Sequence, residues 1–113
     1  MKRGEVWEVN LDPTIGAEIK KIRPCVIVSR DALARLPLKI IVPLTEWNEG
    51  FARAPWHVLV EPTSQNGLSK KSSADTYQVR SISEARLIKR LGEVSDQVMG
   101  EINKGLALSL ALD

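Results

Sequence analysis

Only one stretch of this 113-residue chain carries a long helical repeat, and it is the last one. Val98, Ile102, Leu106 and Leu110 recur every fourth residue, the spacing of one helix face. Ser95 stands where a cap is needed, and Asp96 complements the positive end of that helix. Upstream, short runs favour strands. Trp7, Val9 and Leu11 alternate with Val6, Glu8 and Asn10, the period of a half-buried strand. Residues 24–29 read as a central strand, and residues 39–44 as another, with Pro43 expected at an edge or bulge. Further strands are predicted over 56–61, about 73–82 and 87–93, with a strong turn at 62–67. Asp31–Leu36 predicts a short helix capped by Ser29 or Asp31 and ended by Pro37. Five or six short strands with one terminal helix predict a mainly β fold, a compact and partly closed barrel or curled sheet. Gly100 and Gly105 each cost that helix roughly 1 kcal/mol relative to Ala. Such glycines are expected where a helix packs closely, on its own sheet or on a second subunit.

The length suits a single domain over residues 1–113. With 43% hydrophobic and 27% charged residues, disorder is not expected. A formal charge of +2 permits a nucleic-acid partner without demonstrating one. The single Cys25 forbids an internal disulfide and lies in an apolar run, where a buried thiol is the ordinary reading. No signal region follows the N-terminus and no stretch approaches ~20 apolar residues, so a soluble cytoplasmic protein is expected.

Between the first two strands lies a polar loop, residues 13–22, too long for a tight hairpin. It holds Glu18, Lys20 and Lys21, and Arg23-Pro24 stands at its exit. Long ordered loops on small scaffolds tend to carry function, and arginine pairs bidentately with phosphate oxygens. Other chemistries are poorly supplied. His57 is the sole histidine, which rules out a paired-imidazole mechanism within one chain, and its ordinary reading is a strand-surface residue. Acids are dispersed, with no Cys pair and no H-x-x-x-H or D-x-D spacing, so no metal site is expected. A G-x-S-x-G elbow and a Gly-rich phosphate loop are both absent. What remains is Arg, Thr, Glu and Gln, a set suited to a phosphodiester whose nucleophile comes from the substrate. RNA carries a 2′-hydroxyl beside each phosphate, so cleavage needs positioning, proton transfer and charge stabilisation. Glu18 could accept the 2′-proton, Arg23 could stabilise the phosphorane and Thr45 could hold a non-bridging oxygen. Arginine serves better as an electrostatic stabiliser than as general acid, because its pKa exceeds about 12.

The chain resembles the MazF/PemK (Kid) toxins of type II toxin–antitoxin systems over nearly its whole length. The resemblance is carried by Arg3-Gly4-Glu5-Val6-Trp7, Asp12-Pro13-Thr14 with Gly16-Ala17-Glu18, Arg23-Pro24, Val42-Pro43-Leu44-Thr45 and Gln78-Val79-Arg80-Ser81-Ile82. It implies an SH3-like barrel of the MazF/PemK/CcdB type with a C-terminal helix, usually a homodimer. It further implies a metal-independent, cofactor-free endoribonuclease that cuts single-stranded RNA at short sequences, leaving a 2′,3′-cyclic phosphate and a 5′-hydroxyl. A small antitoxin would occupy the RNA groove with an extended tail. By resemblance, Arg23 and Thr45 match the family's catalytic arginine and threonine, Glu18 an acid used as base in some members, and Gln78 a position that contacts RNA. Many members place an acid just before that glutamine, and the PemK branch uses an Arg-x-Asp pair on this strand; here Tyr77 and Asp75 stand instead, so the MazF-type reading around Arg23 is preferred. Glu18 and a water are both candidates for the base.

Plainer readings exist for each residue. Arg23 could pair with Asp12 or Glu18 and pin the loop. Gln78 and Arg80 could form a solvated strand face, or bind substrate. Lys20 and Lys21 are ordinarily solvated, yet beside a phosphate site they would raise RNA affinity. Trp7 and Trp56 read as core. Two rival functions need no Arg23 chemistry: a barrel that poisons a protein such as DNA gyrase, as CcdB toxins do, and a degenerate module that only binds nucleic acid or antitoxin.

Overall fold

A computed structural model describes all residues from Met1 to Asp113. Seven strands and one helix are formed: β1 (Glu5–Asn10), β2 (Ile22–Ile27), β3 (Leu38–Glu46), β4 (His57–Val60), β5 (Ser72–Asp75), β6 (Arg80–Ser83), β7 (Leu87–Glu93) and α1 (Asp96–Leu110). All pairings are antiparallel, in the order β4-β5-β3-β2-β1-β7, and β6 pairs with the first half of β3. The long β3 thus lies beside β2 on one edge and exchanges β6 for β5 on the other.

Strand alternation gives the sheet two apolar faces. Val6, Val26, Val42, Leu44, Val58 and Val60 build one core with Ile102 of α1. Val9, Leu11, Cys25, Ile27, Ile41 and Ile82 build a second, smaller core on the other face, against which Trp7 and Ile19 pack. The sheet curls toward closure without a last ladder. Gln65 accepts from the Glu93 N–H at 3.0 Å, while Gly67 and Gly92 bring the 62–67 turn onto β7. A Cβ on Gly92 would stand 2.2 Å from the Gln65 oxygen, so only glycine permits that approach.

The terminal helix is as expected: Ser95 Oγ accepts the Val98 N–H at 3.2 Å, and Ala111 ends the helix in the left-handed region. Gly105 packs on the same chain, since a Cβ there would meet Thr76 at 2.8 Å; above Gly100 there is open space.

Four expectations are revised. The strand predicted over 73–82 is broken by a single 3-10 turn, Thr76–Gln78, because the Asp75 carboxylate accepts the Tyr77 N–H at 3.1 Å and bends the chain. The short helix predicted over 31–36 shrinks to one turn, Asp31–Leu33, without a side-chain cap, because Asp31 accepts the Arg3 N–H instead. Pro43 lies inside β3 rather than at an edge or bulge. Its cost is avoided because its outer side meets the gap between the last β6 partner, Ile41, and the first β5 partner, Leu44. Trp56 is 38% exposed and not a core residue.

Candidate active site

Arg23 sits in β2, paired with Val9 of β1, so the strand begins before it and the loop ends at Lys21. Its neighbour Pro24 decides what happens next. The Val28 N–H bonds to Ile40 O, so alternate residues of β2 donate to β3, and the next donors are Val26 and position 24. Proline has no N–H to give, and the β2–β3 ladder stops at Cys25–Pro43. Beyond it the strands frame a cleft of about 220 Å³, lined by Arg23, Pro24, Leu44, Thr45, Lys70 and Ser72 among others. Continuing the register by two residues sets Arg23 opposite Thr45, on the face of Cys25 and Pro43.

Arg23 is half-buried, and its Nε donates to Lys20 O at 3.2 Å. Its guanidinium pairs with neither Asp12 nor Glu18; the bond it makes to the loop goes to a backbone carbonyl instead. Those acids have other duties. Asp12 Oδ1 accepts from the Lys21 N–H at 3.1 Å and from the Thr14 hydroxyl at 3.2 Å. Glu18 Oε1 accepts the Ile15 N–H at 2.6 Å, bracing the loop tip at Gly16. Lys20 and Lys21 are exposed beside Arg23.

Glu18, Gln78 and Arg80 belong to a neighbouring recess of about 490 Å³, together with Ile19, Pro43 and Tyr77. The structure therefore joins Arg23 with Thr45, and Glu18 with Gln78 and Arg80, on adjoining stretches of one face. Gln78 is a two-sided clasp: its Oε1 accepts the Ile19 N–H at 2.6 Å and its Nε2 donates to Ala17 O at 3.2 Å. Arg80 Nη1 donates to Leu11 O at 3.3 Å, while Arg86 Nη1 donates to the carbonyls of Asn10 and Asp12. The entry of the loop and its 17–19 stretch are thus fixed by side chains from residues 78–86.

Sequence reasoning missed a third group. Thr45 pairs across strands with Ser73, and the Ser73 hydroxyl lies 2.7 Å from His57 Nδ1. The His57 ring stacks on Phe51 at 3.9 Å, and Asp75 Oδ2 lies 4.0 Å from Nε2. With its side chain 9% exposed, His57 is not a surface residue. Burial lowers its pKa below the ordinary 6.5, outweighing the opposite pull of Asp75. The one available signal was the shared period-two face of Ser73 and Asp75. Cys25 is fully buried, and burial pushes its thiol up to about 12 against the opposing charge of Arg80. No three His, Cys, Asp or Glu side chains converge on a common point. No helix is long and apolar enough to cross a membrane.

Residues 2–110 match the family described as PemK-like, MazF-like toxin of type II toxin–antitoxin system. The chain is 34% identical to the endoribonuclease MazF9 of Mycobacterium tuberculosis over 119 residues, covering 99% of this chain and 98% of that one. It is also 29% identical to the endoribonuclease EndoA of Bacillus subtilis over 113 residues, with 99% and 96% covered. Among solved structures, MazF of Deinococcus radiodurans superimposes with a TM-score of 0.82 at 23% identity, covering 98% and 96%. A mycobacterial endoribonuclease in complex with its cognate antitoxin superimposes with a TM-score of 0.79 at 24% identity, covering 100% and 97%. A family match across almost the entire length, on the fold those relatives share, means that this chain belongs to the PemK-like, MazF-like toxins of type II toxin–antitoxin systems.

Proposed function

We propose that this chain is the endoribonuclease of its toxin–antitoxin pair, cutting single-stranded RNA with the substrate's own 2′-hydroxyl as nucleophile. The observation that carries the reading is Arg23 opposite Thr45 at a cleft, with a guanidinium that no carboxylate of the protein neutralises. A phosphate drawn there by Lys20 and Lys21 meets a fixed cation and a hydroxyl donor, the two things a phosphorane needs most. Such chemistry ends in a 2′,3′-cyclic phosphate and a 5′-hydroxyl, and it uses no metal or cofactor.

Arg23 is assigned the charge-stabilising role and Thr45 that of orienting a non-bridging oxygen. The Glu18 carboxylate faces the adjoining recess, so as base it acts through a water or after the loop tip shifts. Gln78 and Arg80 border the same recess, where the remaining donors of Arg80 reach substrate. The curated relatives are named endoribonucleases, and one structural relative is bound to its antitoxin. By the same reading an antitoxin segment competes with RNA for this face, and two copies form the working unit.

The deciding experiment incubates the purified protein with single-stranded RNA in the presence of EDTA and maps the ends produced. Cleavage with chelator, giving 5′-hydroxyl ends and lost in Arg23→Ala, is the expected result. A folded protein that cuts no RNA overturns the nuclease reading.

A further inference from the structure

Tyr77 is the only tyrosine of the chain, and it is 72% exposed. By contrast Trp7, Trp47 and Phe51 are all at least half-buried. An exposed ring is usually a mobile one, but the backbone beneath this ring is held on three sides. Asp75 Oδ1 takes the Tyr77 N–H at 3.1 Å, and the Thr76 hydroxyl donates to Trp56 O at 2.6 Å. Gln78, next in the chain, is clasped to the 17–19 backbone. The side chain is therefore a plate fixed at its root and open to solvent. It borders the second recess, which has an apolar lining of Leu11, Ile19, Pro43 and Val79 and a polar edge made by Glu18, Gln78 and Arg80.

The position of the recess gives this plate a use. Pro43 lies two residues from Thr45 on the same face of β3, a step of about 7 Å along a strand. That is comparable to one nucleotide of an extended single strand. We propose that the recess is a nucleobase subsite: a base flanking the scissile phosphate leaves its stack, lies on the Tyr77 ring and turns its edge toward Arg80. This inference rests on the nuclease reading above. Aromatic rings serve single-stranded RNA in this way because every base has a π-face, while an arginine edge adds preference among bases. The cations at Lys20, Lys21 and Arg23 suit the phosphates on that side of the base.

The test uses a short RNA spanning a mapped wild-type cleavage site, made uncleavable by a 2′-deoxy sugar at the scissile nucleotide. A set of derivatives places one abasic site at each flanking position in turn. Binding is read by fluorescence anisotropy for the wild type, Tyr77→Ala and Tyr77→Phe, each checked for an unchanged melting curve. The expected result is that Tyr77→Ala weakens binding of the complete RNA about tenfold. One abasic position then weakens wild-type binding by a similar factor and leaves Tyr77→Ala unaffected, and Tyr77→Phe rescues. Additive losses at every position, in a protein that cuts RNA, overturn the subsite alone. A protein that neither binds nor cuts RNA overturns the nuclease reading and the subsite with it.

Discussion

In the proposed reaction Arg23 supplies charge stabilisation alone, and one substitution measures it. Removing a donor aimed at developing charge lowers turnover by about 10²–10³-fold, so Arg23→Ala should fall in that range in single-turnover cleavage. Arg23→Lys should recover only part, because an ammonium lacks the planar fork that spans two phosphate oxygens. Thr45→Val keeps the shape and loses the hydroxyl, so a decline in turnover with an unchanged melting curve is expected. Cys25 makes the opposite kind of prediction. A thiol raised to about 12 inside the second core should react with a thiol reagent only as fast as the chain unfolds.

The helix and the loop show how local and distant causes divide. Gly105→Ala drives a methyl to 2.8 Å from Thr76 and should cost about 1–3 kcal/mol in denaturant unfolding. Gly100→Ala meets nothing and should instead stabilise by up to about 1 kcal/mol. Without Gln78 the 17–19 backbone loses its clasp, so Gln78→Ala should speed amide exchange at Ile19 well above wild type. The same division governed what could be read in advance. The helix was legible because its four-residue repeat and its Ser95 cap are local facts. So were β1 and β2, whose alternation or apolar run is written in consecutive residues. The break at Thr76–Gln78 was not legible, since beside the local Asp75 turn it sits among distant contacts, the Thr76 hydroxyl on Trp56 O and Gly105 against Thr76. Arg23 could be picked out because it stands with Pro24 at the exit of a long polar loop, whereas Thr45 stood out only through the Val42-Pro43-Leu44-Thr45 resemblance. That Glu18 lines a different recess from Arg23 could not be read, because the loop is shaped by Gln78, Arg80 and Arg86, some sixty to seventy-six residues distant.

For the molecule as a whole, acid should act in two stages. The folded His57 has a pKa below the ordinary 6.5, so the unfolded chain takes up its proton first; stability present above that value falls as pH drops below it. Glu5 acts lower down. Burial alone would raise its pKa, but the Trp7 indole N–H, the Lys2 N–H, the N-terminal charge and Arg90 together hold it to about 2 against an ordinary 4.5. Its stabilisation, complete above 4.5, is lost as pH falls from there toward 2. Urea midpoints followed from neutrality downward should therefore decline in two limbs, the upper one flattened by His57→Gln and the lower by Glu5→Gln. The missing amide at Pro24 has a kinetic consequence on the same scale. Strands that cannot zip past Cys25–Pro43 leave the cleft open between β2 and β3 in the resting protein, so the proposed RNA substrate need not part that ladder to reach Arg23. Encounter with RNA should then follow a single exponential whose rate rises linearly with RNA concentration and drops with salt, as charge-steered diffusion does.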